Sequence, residues 1–296
     1  MATGINPQTH QFSTPYLTLT EFQDAPTGID IDNLVVGGNQ AAQDAELENV
    51  IARASSWIDT FCNQVLGATT ETEQGRTRIK GDGNIIIHPR YSPIIALTAF
   101  NYGTIIGQMT AIADPSTAWI EDTQIIIPYS NLMNTYTSEG PLQFGFPGSP
   151  GSTVYVNYTY VNGYANALIN TATAGQSSLT VQDATGIVAG QVLKIYDGMD
   201  SELVTVAQTY TFGSTTVPLT STLNYSHSSG ISISALPPAV KQAAILATTA
   251  FLKVRGDNAL AMTVGSRPGE ASAGSQHIGE DLMLAQDLLL PYRRIR

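Results

Sequence analysis

The chain has 296 residues and a formal net charge of −11, with 13 Lys+Arg against 24 Asp+Glu, so charged side chains make up 12% of it, where about 25% is usual. An apolar content of 43% excludes a disordered chain, which needs high charge and few hydrophobic residues. The net charge of −11 also rules out a basic grip on nucleic acid, because phosphate binding depends on clustered Lys and Arg that release counterions.

Met1 to Pro15 is polar and lacks Lys and Arg, so the layout of an export signal is missing, and the chain is expected to be cytosolic when made. Thr18-x-x-Glu21 has the capping-box spacing and predicts a short helix within residues 16–24. Over residues 40–66, Leu47, Val50, Ile51, Ala54, Trp57, Ile58, Phe61, Val65 and Leu66 recur in steps of three and four. They predict one long helix capped at its end by Gly67. From Arg76 the period changes to two: residues 76–80 and 85–88 read as a hairpin around Gly81-Asp82-Gly83-Asn84. Ile94 to Tyr102 reads as a strand, Trp119 to Pro128 as a second hairpin, and 145–151 as a loop. Thr153 to Val161 then alternates cleanly.

Residues 165–236 carry five short strand patterns at roughly ten-residue spacing, the signature of a small barrel or sandwich. At 72 residues such a module is marginal alone and is expected to lean on its neighbours. Pro237-Pro238 opens another helix, apolar around much of its circumference and therefore buried on more than one side. Its greasy run, Ala243 to Val254, is broken by Thr248, Thr249 and Lys253 and is shorter than the roughly 20 residues a bilayer needs. Residues 265–274 have linker composition, and a terminal helix follows through Leu288 and Leu289 to Tyr292-Arg293-Arg294-Ile295-Arg296. The fold class is thus α+β, helices with β-hairpins plus an all-β insert. The domains are 1–164 with 237–275 as one core, 165–236 as a second, and 276–296 as a terminal segment.

Chemistry is sparse. Four separated histidines offer no zinc spacing, the lone Cys62 excludes a disulfide or a cysteine metal cage, and no nucleophile elbow or phosphate-binding loop is present. Adjacent Glu121-Asp122 would face opposite ways on a strand. Asp197, Asp200 and Glu202 crowd three carboxylates into six residues but lack the spacing of a calcium loop, so they read as a polar turn before a metal site. His227 reads as a turn residue. No cofactor and no catalytic activity are expected.

The charge is uneven: residues 1–73 hold ten acids against Arg53 alone, and residues 237–296 hold seven bases against five acids. The plain reading is two solvated helical faces.

The order of several segments resembles the head-tail connector, or adaptor, family of tailed bacteriophages. The segments are Tyr16-Leu17-Thr18-Leu19-Thr20-Glu21-Phe22, Ile51 to Asp59, Tyr91-Ser92-Pro93-Ile94-Ile95, Tyr158 to Tyr164, and Leu236-Pro237-Pro238 to Ile245. In that family the strand ending in Gly-Tyr runs almost directly into the proline-led helix, which marks 165–236 as an insertion. The insertion in turn resembles a β module of phage structural proteins, with Gly-x-x-x-Gly-x-x-Leu-x-Ile at 186–195, Glu-x-Val-Thr-Val at 202–206, Pro-Leu at 218–219 and His-x-x-Gly at 227–230.

The resemblance implies a virion structural protein at the head-tail junction, made in the host cytoplasm. It implies a homo-oligomeric, dodecameric ring below the portal, contacts to portal and to tail or neck proteins, and passage of DNA through the lumen without sequence-specific binding. On this reading Leu288, Leu289, Tyr292, Arg293, Arg294 and Arg296 dock on the portal, since Tyr and Arg are favoured interface anchors. The acids Asp44, Glu46 and Glu48 would line the DNA channel. An alternative is a receptor- or carbohydrate-binding tail protein using exposed Tyr155, Tyr158, Tyr160 and Tyr210. A metal-dependent hydrolase using Asp197, Asp200 and Glu202 ranks third.

Overall fold

A computed structural model describes residues 14–32, 34–121, 123–128, 151–261 and 273–294. The chain is an α+β protein with, among the described residues, four α-helices and thirteen strands. It divides into two compact units: Ala68–Tyr164 lies in one, and Phe12–Gly67 together with Ala165–Arg296 forms the other.

In the first unit β1 (Thr69–Arg78) pairs along its whole length with β7 (Thr153–Asn162), from Thr69↔Asn162 to Arg78↔Thr153. Adding β3 (Ile94–Ile105) and β4 (Gln108–Ala111) gives an antiparallel sheet in the order β1-β7-β3-β4. Along β7 the two-residue period sorts Val154, Val156, Tyr158 and Tyr160 inward and leaves Tyr155, Asn157 and Thr159 half-exposed. A second sheet runs β2-β6-β5, formed by Ile85–Ile87, Gln124–Ile127 and Trp119–Glu121. Both sheets contribute to one apolar core around Phe100, Ile125 and Tyr160.

The hairpin expected over 76–88 is corrected. The turn forms, with Lys80 N donating to Asn84 O at 2.9 Å, but beyond the bridge Ile79↔Ile85 and the bond from Thr77 Oγ1 to Ile86 O at 2.8 Å the two segments enter different sheets. From Thr69 to Arg78, β1 has no large apolar side chain, so Ile85, Ile86 and Ile87 find theirs in Ile127, Ile126 and Ile125 of β6. The mostly polar β4 had no readable period and was not anticipated.

The second unit begins with α1 (Leu19–Gln23), closed by the predicted capping box: Thr18 Oγ1 accepts from Glu21 N at 3.2 Å and Glu21 Oε2 accepts from Thr18 N at 2.6 Å. Helix α2 (Gln40–Cys62) buries Leu47, Val50, Ile51, Ala54, Ile58 and Cys62. It stops earlier than the sequence suggested. Asn63, not Gly67, takes the left-handed conformation at φ 55°, which a short amide side chain tolerates, and Val65 and Leu66 are buried beyond the helix. Helix α3 (Pro238–Ala261) is buried almost all round over its first half, and α4 (Ala273–Leu289), whose Ala285 and Leu289 are buried, packs against it, with Lys253 Nζ donating to Asp281 Oδ2 at 2.6 Å. No described helix is long and apolar enough to cross a membrane.

Residues 166–234 form six short strands: β8 (Asn166–Leu168), β9 (Ser178–Thr180), β10 (Val192–Tyr196), β11 (Glu202–Thr205), β12 (Thr216–Pro218) and β13 (Ser232–Ser234). Four pair as β11-β10-β13-β8 and two as β12-β9. The bridges Ile169↔Val181 and Val206↔Leu219 join these sheets at both margins, so the strands close into a ring. Ile169, Ile187, Ile195, Val206 and Val217, each fully buried, fill its interior. The choice between barrel and sandwich is settled as a small closed barrel.

The barrel leans on its neighbours as its size requires. Lys241 of α3 donates from Nζ to Glu21 Oε1 of α1 at 2.7 Å and to Ser232 Oγ of β13 at 3.3 Å, and lies 4.4 Å from the centre of the Tyr196 ring of β10. The two charged side chains are only 6% and 7% exposed. Burial pulls the Lys241 ammonium below its usual range, and Glu21 opposes that pull. Asn166 Nδ2 adds a second tie, donating to Thr14 O at 3.1 Å and Pro15 O at 3.0 Å. Lys241→Met leaves the Glu21 carboxylate buried and unpaired. It is expected to lower unfolding free energy by about 3–5 kcal/mol, read from urea denaturation, whereas the double variant Glu21→Gln/Lys241→Met recovers part of that loss.

Candidate functional site

Apart from the tyrosines of β7, the residues singled out in the sequence fall in three places. The first is the C-terminal segment. Arg294 N donates to Cys62 O at 2.8 Å, Asn63 Nδ2 donates to Arg294 O at 3.2 Å, and Gln64 Nε2 donates to Tyr292 O at 3.1 Å. The Arg293 guanidinium lies over the Phe61 ring at 5.2 Å. The segment is thus clasped, mostly through its backbone, by the turn that ends α2. Leu289 is fully buried, Leu288 and Tyr292 are half-buried, Arg293 is exposed, and Arg296 lies outside the described residues, as do residues 265–272 of the expected linker. Residues 273 and 274, also expected in that linker, open α4.

Beneath this clasp is a polar cluster that the sequence did not reveal. The Tyr16 hydroxyl donates to Asp59 and accepts from Leu66 N at 2.8 Å and Gly67 N at 3.3 Å. Burial pushes the Asp59 carboxyl up to about 7, against the lowering effect of the Tyr16 and Leu66 hydrogen bonds. Burial and the nearby Asp59 push the Cys62 thiol up to about 12, which keeps it a packing group without nucleophilic character.

The second place is the first half of α2. Helix geometry puts Asp44 and Glu48 one turn apart and turns Glu46 away from both, so the three acids do not share one face. Asp44 accepts from Gln40 Nε2 at 2.8 Å, Glu46 pairs with Arg53 at 2.7 Å, and Glu48 is exposed.

The third place is the barrel. Glu202 opens β11, and its two carboxylate oxygens accept from Asn224 N, Asn224 Nδ2 and Tyr225 N at 2.9–3.2 Å. His227 is fully buried, with Nδ1 2.8 Å from Asp197 Oδ2 and Nε2 3.0 Å from Glu202 Oε1. Burial would raise the Glu202 carboxyl, but these donors hold it below the usual carboxylate range. The oxygens offered as metal ligands at Asp197 and Glu202 are therefore engaged in closing the loop over residues 224–228. Among the described residues no group of three or more His, Cys, Asp or Glu could hold a metal ion. His227, read as an ordinary turn residue, is the centre of the network. Gly198 beside it has φ +51°, and a side chain there would meet the Asp24 carboxylate at 2.9 Å, so this turn needs glycine.

A cavity of about 440 Å³ opens next to the Glu21–Lys241 pair, lined by Leu17, Asp24, Pro26, Tyr196, Met199 and Ile245. Its cation is already matched by Glu21. The tyrosines proposed for ligand binding are corrected: Tyr158, Tyr160 and Tyr210 are at most 8% exposed. The first two donate their hydroxyls to Glu73 at 2.9 and 2.6 Å, and Tyr210 donates to Ser214 O at 2.9 Å. Strand alternation leaves only Tyr155 of the four facing outward.

No known family of sequences matches the chain. No curated protein matches it. A solved structure described as "Neck of empty GTA particle computed with C6 symmetry" is similar at 12% identity, over 95% of this chain and 94% of that one, with a TM-score of 0.33.

Three outcomes follow from the geometry. The folded protein holds Asp59 protonated up to about pH 7, while the unfolded chain releases that proton near 3.8. The folded state therefore binds more protons in between, and stability falls as pH rises across this window. Asp59→Asn flattens the dependence: the variant gains on the parent from about pH 4 to about pH 7 in parallel urea titrations. His227→Ala removes two hydrogen bonds to carboxylates and is expected to cost about 3 kcal/mol. A chelator or added calcium leaves the parent melting midpoint unchanged.

Proposed function

We propose that this chain is a structural subunit of a virion neck, a head-to-tail adaptor that assembles as a ring below the portal, contacts portal and tail components, and lets DNA pass through its lumen. It acts by assembly and carries no catalytic activity. One observation carries this reading beyond the sequence resemblance: the barrel enters and leaves the chain at one point. Ala235 N donates to Ala165 O at 2.8 Å and Ser234 Oγ donates to the same oxygen at 3.2 Å, so the first and last residues of the insert are side by side. Excising it would let the Gly163-Tyr164 end of β7 run into proline-led α3, the order of the connector family. The connector residues also take fitting local roles, with Thr18 and Glu21 capping α1 and Pro237-Pro238 opening α3.

On this reading the segment around Tyr292, Arg293, Arg294 and Arg296 is the portal-docking element. Leu289 seats its helix on the body, and Leu288 lies half-buried beside it. The hydrogen bonds from Asn63 and Gln64 are directed at the segment's backbone, which leaves the identity of its side chains to be set by a partner. Asp44 and Glu48 supply acidic positions for a channel that repels phosphate without adhesion. Removing 291–296, which spares α4, is expected to lower portal binding at least tenfold in co-sedimentation while the melting curve keeps its cooperative form. Undiminished binding overturns the docking role, and a ring map with Asp44 and Glu48 on the outer rim overturns the channel role.

A further inference from the structure

The net charge of −11 hides a local reversal. Four of the 13 Lys+Arg, namely Arg76, Arg78, Lys80 and Arg90, fall within fifteen residues that contain one acid, Asp82, and none occurs from 91 to 193. Strand β1 sorts its charges by face. Glu71 and Glu73 point inward, where Glu71 is buried and Glu73 receives the hydroxyls of Tyr158 and Tyr160. Arg76 and Arg78 point outward, and Lys80, two residues further on, is likewise exposed. Successive cations of this alternation stand about 6.8 Å apart.

The surrounding face has the same character. Beside the two arginines in register are Tyr155 and Thr153 of β7, and the face continues through Asn157 and Thr159 and across to Asn101 of β3. Arg76 lies over the Tyr155 ring at 5.6 Å. No acid faces outward from the described residues of β1 and β7, and Asp82 in the adjoining turn accepts from Asn84 N at 3.0 Å and Asn84 Nδ2 at 2.8 Å. Among the described residues none of the three exposed cations forms an ion pair. Arginine and lysine flanked by threonine, asparagine and tyrosine donors is the side-chain set that contacts nucleic-acid phosphates without reading sequence. Acids beyond a screening length of about 8 Å do not cancel such a patch at physiological salt.

We infer that the outer face of the β1-β7-β3-β4 sheet, through Arg76, Arg78 and Lys80, is a contact surface for the phosphate backbone of nucleic acid. The inference stands on the face itself and not on the neck reading. It replaces the exclusion drawn from total charge with a local, non-specific contact. Each copy is a weak binder, with a dissociation constant of the order of 10⁻⁴ M.

The test is fluorescence anisotropy of labelled 20-bp duplex and 20-nucleotide single-stranded DNA, titrated with the full chain from 50 to 200 mM salt. Three neutralised phosphates give a log–log slope of about −2.7 on duplex and about −2.1 on single strand, so duplex affinity drops about 40-fold across that range. Arg76→Gln/Arg78→Gln/Lys80→Gln abolishes the salt-dependent binding with an unchanged melting midpoint, and Arg76→Lys/Arg78→Lys retains it. Absence of binding at 50 mM salt, or binding untouched by the triple variant, overturns the inference. So does salt-dependent self-association that the triple variant removes in the absence of DNA affinity, because the face would then meet the acids of a second copy. Portal binding and ring formation, measured separately, distinguish failure of this inference from failure of the neck reading.

Discussion

One buried ammonium holds the second unit together. Lys241 comes from a helix of the chain's last quarter, Glu21 from its first turn of helix, and Ser232 and Tyr196 from the barrel between them in sequence. Withdrawing that charge from water is costly, and the cost is met only when all partners arrive together. The arrangement joins barrel, α1 and α3 through one set of charge-assisted contacts. Glu21 serves twice, since one oxygen caps α1 and the other neutralises Lys241. A residue legible as a local helix signal thus also acts over 220 positions of sequence.

What was legible followed from local physics. The capping box, the apolar stripe of α2, the alternation of β7 and the proline start of α3 all depend on neighbours within a few residues, and each element begins where its pattern begins. Partnership was less legible. Residues 76–88 carry a good turn, yet apolar demand sends β2 to β6, and the β1 face is decided by a strand more than 70 residues away. The end of α2 was missed for a related reason: Asn63 can adopt a left-handed cap, and its side chain is fixed by Arg294 from the far end of the chain.

The barrel gives a physical reason for the motifs within residues 186–230. Gly186 and Gly190 have φ of 85° and 77°, so both glycines are conformational requirements, while Leu193 and Ile195 are the inward residues of β10. The acid that leads β11 and the histidine of the later turn, 25 residues apart, meet at 3.0 Å. Two motifs that look independent in sequence are the halves of one hydrogen-bonded closure. The same pairing accounts for the failure of residue-by-residue reading at His227, whose partners are invisible until the strands close. Charge has to be read locally for a related reason: a whole-chain sum averages over faces that a single strand keeps apart.

Closure of the barrel has a further consequence for encounters between molecules. A sheet with open margins presents unpaired N–H and C=O groups that template strand addition by any neighbouring chain. Six short strands joined at both margins leave no such row, so crowded copies meet this part of the molecule only through side chains and loops. A closed module of this kind adds surface to a chain without adding a route to edge-to-edge aggregation, whatever the concentration at which the chain is held.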